Sequence, residues 1–100
     1  LKGATTTKDF VYIDDVARAF VLALETAFVG PINIGTGVET ALGAMVEQMG
    51  VRTEFHNDDA ATRMCADNAR AKRVLRWEPT VKAKEGLRVI LDEAKAVALR

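Results

Sequence analysis

The sequence predicts a small α/β domain, a single unit spanning residues 1–100 with a partly parallel sheet of three to four strands and about four helices. Two observations favour this class. Short runs of β-branched and aromatic residues alternate with segments whose apolar residues recur every three or four positions. The composition, 49% hydrophobic and 28% charged, is that of a globular domain. So few short strands make a thin sheet, which indicates a piece of a larger fold.

The first strand and the first helix are predicted near the start of the chain. Asp9 to Ile13 is a run of β-branched and aromatic residues, which predicts a strand buried on both faces. Asp14 and Asp15 follow where carboxylates favour the start of a helix, so a helix is expected from about Asp15 to Phe28. We interpret the two acids as helix-start residues rather than as a catalytic or metal-binding pair. The expected core stripe of the helix is Val16, Phe20, Ala23, Leu24 and Ala27.

A second strand, a tight turn and a second helix are predicted next. Ile32 to Gly35 is short and apolar, which predicts a strand. The Gly35-Thr36-Gly37 stretch is expected to form a structural turn of the kind that two glycines permit. A helix is then expected from a cap at Thr40 to Gly50, a glycine that suits the left-handed position after a helix.

The second half of the chain is predicted to add one or two strands and two helices. Residues 51–55 alternate between apolar and polar, which predicts a half-buried strand. A short strand over Arg63 to Ala66 leads into a helix that Asp67 caps and that Trp77-Glu78-Pro79 ends, with Trp77 in the core. The last helix is expected to begin near Lys84. Its inward stripe is Leu87, Ile90, Leu91, Ala94 and Val97.

Charge and composition exclude several function classes. Fourteen basic residues balance fourteen acidic ones, so no net field draws nucleic acid or an anionic membrane. No apolar run approaches the roughly 20 residues of a membrane span and no signal peptide is visible, so a cytoplasmic location is expected. The single cysteine, Cys65, forms neither an internal disulfide nor a zinc site alone. A chain that opens at Leu1 rather than at methionine is expected to be a fragment.

Five stretches stand in an order that is typical of one family. They are Lys8–Ala19, Pro31–Thr40, Ala66–Ala71, Leu75–Pro79 and Glu85–Leu87. In these stretches the sequence resembles the C-terminal, substrate-binding segment of the NAD-dependent epimerase/dehydratase family, the extended short-chain dehydrogenases that act on nucleotide sugars. The resemblance implies a fragment of an extended Rossmann-type epimerase that lacks the cofactor-binding half.

The two motifs that carry the chemistry of this family are missing from the sequence. There is no G-x-x-G-x-x-G turn to place a dinucleotide pyrophosphate at a helix N-terminus. The Tyr-x-x-x-Lys pair is also missing, because the one tyrosine, Tyr12, has Val16 four residues later. The resemblance therefore implies no catalytic residue and no cofactor in this chain alone, and NAD only where a Rossmann half complements it.

The resemblance also identifies candidate substrate-binding residues. Lys8 stands where the family carries an arginine that meets a substrate phosphate, and lysine keeps the charge but not the bidentate fork. Asn57 stands where the family carries an arginine that contacts the nucleotide diphosphate, and it is followed by Asp58 and Asp59, which repel such a group. Arg63 is expected to substitute for that arginine. No metal-ligating residue is expected.

The resemblance predicts a partner and leaves three functions open. Ile32 to Ile34 exposes an unpaired apolar edge, which a second copy of the chain, as a homodimer, or a separate complementing Rossmann chain is expected to cover. The first function is that of a part of an NAD-dependent nucleotide-sugar enzyme, inactive unless complemented. The alternatives are a stand-alone module that binds a nucleotide-sugar ligand without chemistry, and a non-enzymatic interaction protein that reuses the fold to oligomerise.

Overall fold

Residues 6–50, 52 and 62–98 are described by a computed structural model of the chain. The predicted strand at 51–55 and the candidate residue Asn57 lie outside these ranges. The elements in chain order are β1 (Thr7–Lys8), α1 (Ile13–Leu24), β2 (Thr40–Ala41), α2 (Leu42–Met49), a π-helical turn (Ala71–Leu75) and α3 (Ala83–Ala98). The α/β class with about four helices is therefore confirmed.

The sheet is centred on β1. It pairs antiparallel with β2, with Thr7 opposite Ala41. Thr7 also forms a parallel bridge with Arg63. Its N–H donates to the Thr62 carbonyl at 2.9 Å, and its carbonyl accepts from the Met64 N–H at 3.1 Å. The described residues thus contain a two-stranded sheet with one parallel bridge, which is partly parallel as expected but smaller than the three to four strands predicted.

Three predicted strands are not strands in the structure. Arg63 to Ala66 contributes only the bridge at Arg63. β1 ends at Lys8, so Asp9 to Ile13 lies outside it, and Ile13 is already the first residue of α1. Ile32 to Gly35 has the residue types of a strand, and Ile32 and Ile34 pack against the core. A strand also needs a hydrogen-bonded neighbour, and this segment pairs with no other strand in the part of the chain that the structure describes.

The inward face of α1 differs from the predicted stripe. The helix begins at Ile13 and ends at Leu24, and its buried residues are Asp15 and Ala19. Phe20 is 70% exposed and Leu24 is 87% exposed, so the stripe predicted through them is wrong. The inner face of the helix carries Asp15, Ala19 and the partly buried Leu22. Several large apolar side chains, among them Phe20 and Leu24, are exposed.

Other helix boundaries follow the sequence signals closely. Gly50 takes the left-handed conformation after α2, as predicted, with φ of 70°. α2 begins at Leu42 rather than at Thr40, because Thr40 pairs with β1. The Asp67 carboxylate accepts from the Ala69 N–H at 3.1 Å, so the predicted cap is confirmed.

α3 begins one residue before the predicted start. It spans Ala83–Ala98, and the Lys84 carbonyl accepts from Gln48 Nε2 of α2 at 2.7 Å. Part of its predicted inward stripe is exposed, since Ile90 and Val97 both face solvent. The described residues therefore cover only part of the apolar stripe of α3.

The core lies between α1, the π-helical turn and the segment that follows it. Its buried apolar residues are Ala19, Ala71, Leu75 and Trp77. Trp77 fills the core as predicted, and its ring N–H donates to the Asp15 carbonyl at 2.8 Å. The molecule is a slab of 47 × 42 × 16 Å with a radius of gyration of 16.1 Å. A compact domain of this length has a radius of about 13 Å, so the slab has the shape of a layer rather than of a closed domain.

Candidate functional site

The carboxylate of Asp9, just after β1, connects three segments that lie far apart in the sequence. Its Oδ1 accepts from the Thr36 N–H at 2.8 Å and from the Thr36 hydroxyl at 2.6 Å. Its Oδ2 accepts from the Gly37 N–H at 2.9 Å and from the Ala66 N–H at 3.1 Å. Burial works to raise the pKa of Asp9, but these hydrogen bonds outweigh it and hold the pKa below its ordinary value. The acid is therefore charged at neutral pH.

The Gly35-Thr36-Gly37 turn closes around this carboxylate. A Cβ atom on Gly35 would lie 2.5 Å from the Ala66 Cβ and 2.8 Å from Asp9 Oδ2, so only glycine fits there. Gly37 has φ of 75°, a conformation that favours glycine. The Gly35 carbonyl accepts from the buried Asn68 side chain at 2.9 Å. The turn has the structural role that its sequence suggests.

The Asp9 carboxylate also determines whether this turn can bind the pyrophosphate of a dinucleotide. In glycine-rich cofactor turns, free backbone N–H groups bind the pyrophosphate. Here the N–H groups of Thr36 and Gly37 both donate to Asp9, which places a negative charge where a phosphate would sit. The residues of this turn therefore do not fit the pyrophosphate of NAD.

A second carboxylate is that of Glu39, the residue before β2. It pairs with Arg63, which forms the parallel bridge to Thr7 of β1. Arg63 donates from Nε to Oε1 at 2.8 Å and from Nη2 to Oε2 at 2.6 Å, which is a bidentate pair. The Thr7 hydroxyl donates to the same Oε1 at 2.7 Å. These hydrogen bonds, first those from Arg63, lower the pKa of Glu39 to about 2, and the pair raises the pKa of Arg63. Both groups are charged at neutral pH.

Lys8 and Arg63 line one open cleft of about 570 Å³, which we call the Lys8–Arg63 cleft. Its other polar lining residues are Asp9, Asn33, Cys65 and Asp67. The Lys8 ammonium lies 3.2 Å from the Met64 sulfur. The structure thus brings two of the three predicted substrate-binding residues to one surface, while Asn57 lies outside the described ranges.

Asp15 is a third carboxylate with many donors, and it lies away from the cleft. It is fully buried, and its oxygens accept from the Thr80 hydroxyl at 2.7 Å and from the Thr80 and Val81 N–H groups at 3.0 and 3.1 Å. Arg18 also donates to it at 2.8 Å. Burial works to raise the pKa of Asp15, but the hydrogen bonds outweigh it and hold the pKa below its ordinary value. Asp15 joins α1 to the segment before α3.

The sequence patterns do not indicate the roles that three acids have in the structure. They predict no role for Asp9 and Glu39, and they indicate Asp15 only as a helix-start residue. Asp9 stands directly after a strand and Glu39 directly before one, and a polar residue at a strand end is a signal that could have indicated them. Their donors lie 24 to 57 residues away, and short-range patterns do not reveal such partners.

Two further kinds of site are missing from the described ranges. No group of three or more His, Cys, Asp or Glu side chains there is arranged to hold a metal ion. None of the helices in these ranges has the length and apolarity needed to cross a membrane.

The sequence is similar to known nucleotide-sugar enzymes over most of its length. It is 40% identical over 92 residues to the UDP-glucose 4-epimerase of Mycolicibacterium smegmatis, covering 81% of this chain and 29% of that protein. It is 30% identical over 101 residues to the UDP-glucuronate 4-epimerase of Thermodesulfobacterium geofontis, covering 91% and 31%. The chain thus spans less than a third of the length of these relatives. No family model matches it.

Solved structures show the same likeness. The UDP-glucuronic acid 4-epimerase of Bacillus cereus, in complex with NAD, matches with a TM-score of 0.73 at 33% identity, covering 97% of this chain and 34% of that one. The UDP-glucose 4-epimerase of Thermotoga maritima, with UDP-glucose, matches with a TM-score of 0.80 at 30% identity, covering 95% and 33%. The fold is therefore that of a part of a Rossmann-type epimerase. The chain is thus similar, as a partial segment, to enzymes of the NAD-dependent epimerase/dehydratase family, which confirms the resemblance.

Proposed function

We propose that the chain is the C-terminal, substrate-side segment of an NAD-dependent nucleotide-sugar epimerase or dehydratase. In this role it binds the diphosphate of the substrate and supplies no catalytic residue. The observation that carries the proposal is the placement of Lys8 and Arg63, 55 residues apart in sequence, on one cleft. The segment's relatives include epimerases of UDP-glucose and UDP-glucuronate, so a UDP-sugar is the proposed ligand.

The cleft has the size and the cations that a sugar nucleotide needs. Its volume of about 570 Å³ lies within the roughly 300–1,000 Å³ of small-molecule sites. Lys8 offers a point charge, and Arg63 contributes to the lining of the same cleft. Two lining acids are already occupied, because Asp9 accepts four hydrogen bonds and Asp67 caps the helix that follows.

NAD is proposed to belong to the part of the protein that this segment packs against. The Gly35-Thr36-Gly37 turn does not fit a pyrophosphate, and the sequence has no other glycine-rich turn of the kind that binds one. The large apolar residues on the outer face of α1 offer a surface for such a part, and the relatives are about three times as long as this chain. A complementing Rossmann half is therefore the proposed partner, and a second copy of the chain is the alternative.

Titration of the full chain with UDP-glucose and with UDP-glucuronate tests the proposed ligand. Backbone amide NMR is expected to show shifts at Lys8, Arg63 and the Gly35-Thr36-Gly37 turn, and Lys8→Ala is expected to weaken binding about tenfold, the loss of one charged hydrogen bond. Lys95→Ala, an exposed lysine near the end of α3, is the matched control and is expected to bind as the wild type does. A spectrum that neither ligand moves contradicts the proposal.

A non-enzymatic interaction protein is the second candidate, favoured by the exposed apolar face of α1. Phe20 and Leu24 of α1 are 70% and 87% exposed, and exposed large apolar side chains of this kind indicate an interaction site. Sedimentation of the full chain distinguishes the two candidates when combined with the titration. Stable self-association without ligand-induced shifts supports the interaction role, and shifts at the cleft support the proposed enzyme segment.

A further inference from the structure

Three backbone N–H groups and one hydroxyl converge on the Asp9 carboxylate. The N–H groups of Thr36, Gly37 and Ala66 donate to it at 2.8, 2.9 and 3.1 Å, and the Thr36 hydroxyl donates at 2.6 Å. Successive backbone N–H groups in a turn form a concave site for an anion, and Ala66 adds a third N–H from a distant segment. These donors form an anion site that the chain fills with its own carboxylate, and we call it the Asp9 site.

The Asp9 site adjoins the Lys8–Arg63 cleft. Asp9 and Ala66 both line that cleft, and Asp9 directly follows Lys8 at the end of β1. A phosphate that enters the cleft therefore meets an ammonium group that attracts it and a carboxylate that repels it. The backbone donors that now bind Asp9 are of the kind that bind phosphate in glycine-rich turns. The carboxylate, rather than the backbone, is thus what makes this turn unsuited to a phosphate.

We propose that Asp9 is a specificity-determining residue of the cleft, whose carboxylate fills the anion site formed by Thr36, Gly37 and Ala66 and so keeps the phosphates of a ligand on the Lys8 side. The inference rests on the proposed function for the identity of that ligand. The exclusion itself is a property of the chain, and inorganic phosphate is sufficient as a probe of it.

Asp9→Ala and Asp9→Asn separate the filling of the site from its charge. Both variants remove one negative charge, but only alanine empties the site, because asparagine has nearly the size of aspartate. Asp9→Ala is expected to bind inorganic phosphate at least about tenfold more tightly than the wild type, because the vacated donors form charge-assisted hydrogen bonds with it. Asp9→Asn is expected to gain about threefold or less, which is the effect of the charge alone.

Amide NMR of the full chain, titrated with phosphate at constant ionic strength, measures the affinity and locates the anion. In Asp9→Ala, the N–H signals of Thr36, Gly37 and Ala66 are expected to shift together and to saturate. Asp67→Ala is the matched control, since Asp67 lines the same cleft and its described donor is a single backbone N–H. Its gain is expected to be no larger than that of Asp9→Asn. Equal gains in Asp9→Ala and Asp9→Asn, or tighter binding that leaves these three signals in place, overturn the proposal.

Urea unfolding in the presence and absence of phosphate covers the case in which Asp9→Ala is only partly folded. A ligand that binds only the folded state raises the urea midpoint, so phosphate is expected to raise the midpoint of Asp9→Ala more than that of Asp9→Asn. Asp9→Ser, which also leaves most of the site empty, is the second variant and is expected to behave as Asp9→Ala does. Midpoints of the alanine and serine variants that phosphate raises no more than that of Asp9→Asn overturn the proposal.

The two proposals fail in different ways. A wild-type chain that does not bind UDP-glucose, together with an Asp9→Ala variant that gains phosphate binding at the three N–H groups, overturns the proposed function and supports the exclusion of phosphate by Asp9. A wild-type chain that binds UDP-glucose, together with an Asp9→Ala variant that gains no phosphate binding, supports the proposed function and overturns this inference.

Discussion

Asp15 and Glu39 are both carboxylates that accept several hydrogen bonds, but they lie in very different surroundings. Asp15 is fully buried, and two of its donors are backbone N–H groups from the segment before α3. Glu39 is only partly buried, and its donors are the side chains of Arg63 and Thr7. A buried acid with backbone donors holds segments of the chain together, whereas a partly exposed acid with side-chain donors pairs with groups that water can also solvate.

Because their surroundings differ, removal of Asp15 and removal of Glu39 are expected to have different effects on stability. Without Asp15, backbone N–H groups at Thr80 and Val81 would lose their acceptor at a buried site, which costs free energy of unfolding. Without Glu39, the Arg63 guanidinium would turn to water, since its side chain is already 77% exposed. Exposed ion pairs contribute little to stability, so loss of Glu39 is expected to cost less unfolding free energy than loss of Asp15.

The largest expected effect is that of Asp15→Asn on stability. The amide group would face donors from Thr80 and Arg18, so the variant is expected to lose about 3 kcal/mol of unfolding free energy, the upper end of the cost of leaving buried donors without an acceptor. Urea unfolding followed by circular dichroism measures it. Asp14→Asn, an exposed acid in the same first turn, is the matched control and is expected to cost less than about 1 kcal/mol. Equal losses in the two variants would contradict the role of Asp15 in joining α1 to the segment before α3.

Asp9→Ala tests an acid that is less buried than Asp15 and accepts from both backbone and side-chain donors. It is expected to lose about 2 kcal/mol, because four donors lose their acceptor. Added formate is expected to occupy the vacated position and to raise the urea midpoint of the variant, since a ligand that binds only the folded state stabilises it. Asp92→Ala, an exposed acid on α3, serves as the control, and formate should leave its midpoint unchanged. A variant that formate does not stabilise more than this control contradicts the assigned geometry.

The pH dependence of stability reports on Asp9, Asp15 and Glu39 without any substitution. Asp9, Asp15 and Glu39 all have lowered pKa values in the folded chain, that of Glu39 falling from 4.5 to about 2. A group with a lowered folded pKa stabilises the fold above its unfolded pKa, and this contribution is lost as the pH falls through the folded value. Stability is therefore expected to be constant from pH 7 to about 5 and to fall from pH 4.5 towards 2.

Urea midpoints measured at intervals between pH 7 and pH 2 check this expectation. The fall is expected to be less steep in Asp15→Asn, because one of the contributing carboxylates is missing. A midpoint that rises on acidification would contradict the lowered pKa values. A fall that begins near pH 6 would assign the effect to a group other than these three acids.

The helices could be predicted from the sequence because their signals are local. The glycine at position 50 and the cap at Asp67 each act within a few residues of a helix end, and both are as predicted. The strand at Ile32 to Gly35 could not be settled in this way. Its residues suit a strand, but a strand exists only with a neighbour, and the described ranges hold none for it.

The candidate site could be predicted only as far as the family resemblance extends. Lys8 and Arg63 were expected to bind substrate, and the structure places them on one cleft, although whether they bind it stays a prediction. Glu39 was not predicted, because its partner lies 24 residues away and neither residue is unusual in its local sequence. Long-range pairing of this kind depends on the register of β1 with its neighbours, which the sequence pattern leaves open.

The smallest expected effect on stability is that of Leu24→Lys on the outer face of α1. Leu24 is 87% exposed, so the variant is expected to change the unfolding free energy by less than about 0.5 kcal/mol. Ala19→Leu, on the inner face of the same helix, is the matched comparison and is expected to cost about 1–3 kcal/mol through overpacking. If the outer face is a docking surface, Leu24→Lys should nevertheless weaken association with a second copy or with a Rossmann half, measured by sedimentation. A loss of stability as large as that of Ala19→Leu would mean that Leu24 is buried within the chain itself, and the proposed partner would then lose its docking surface.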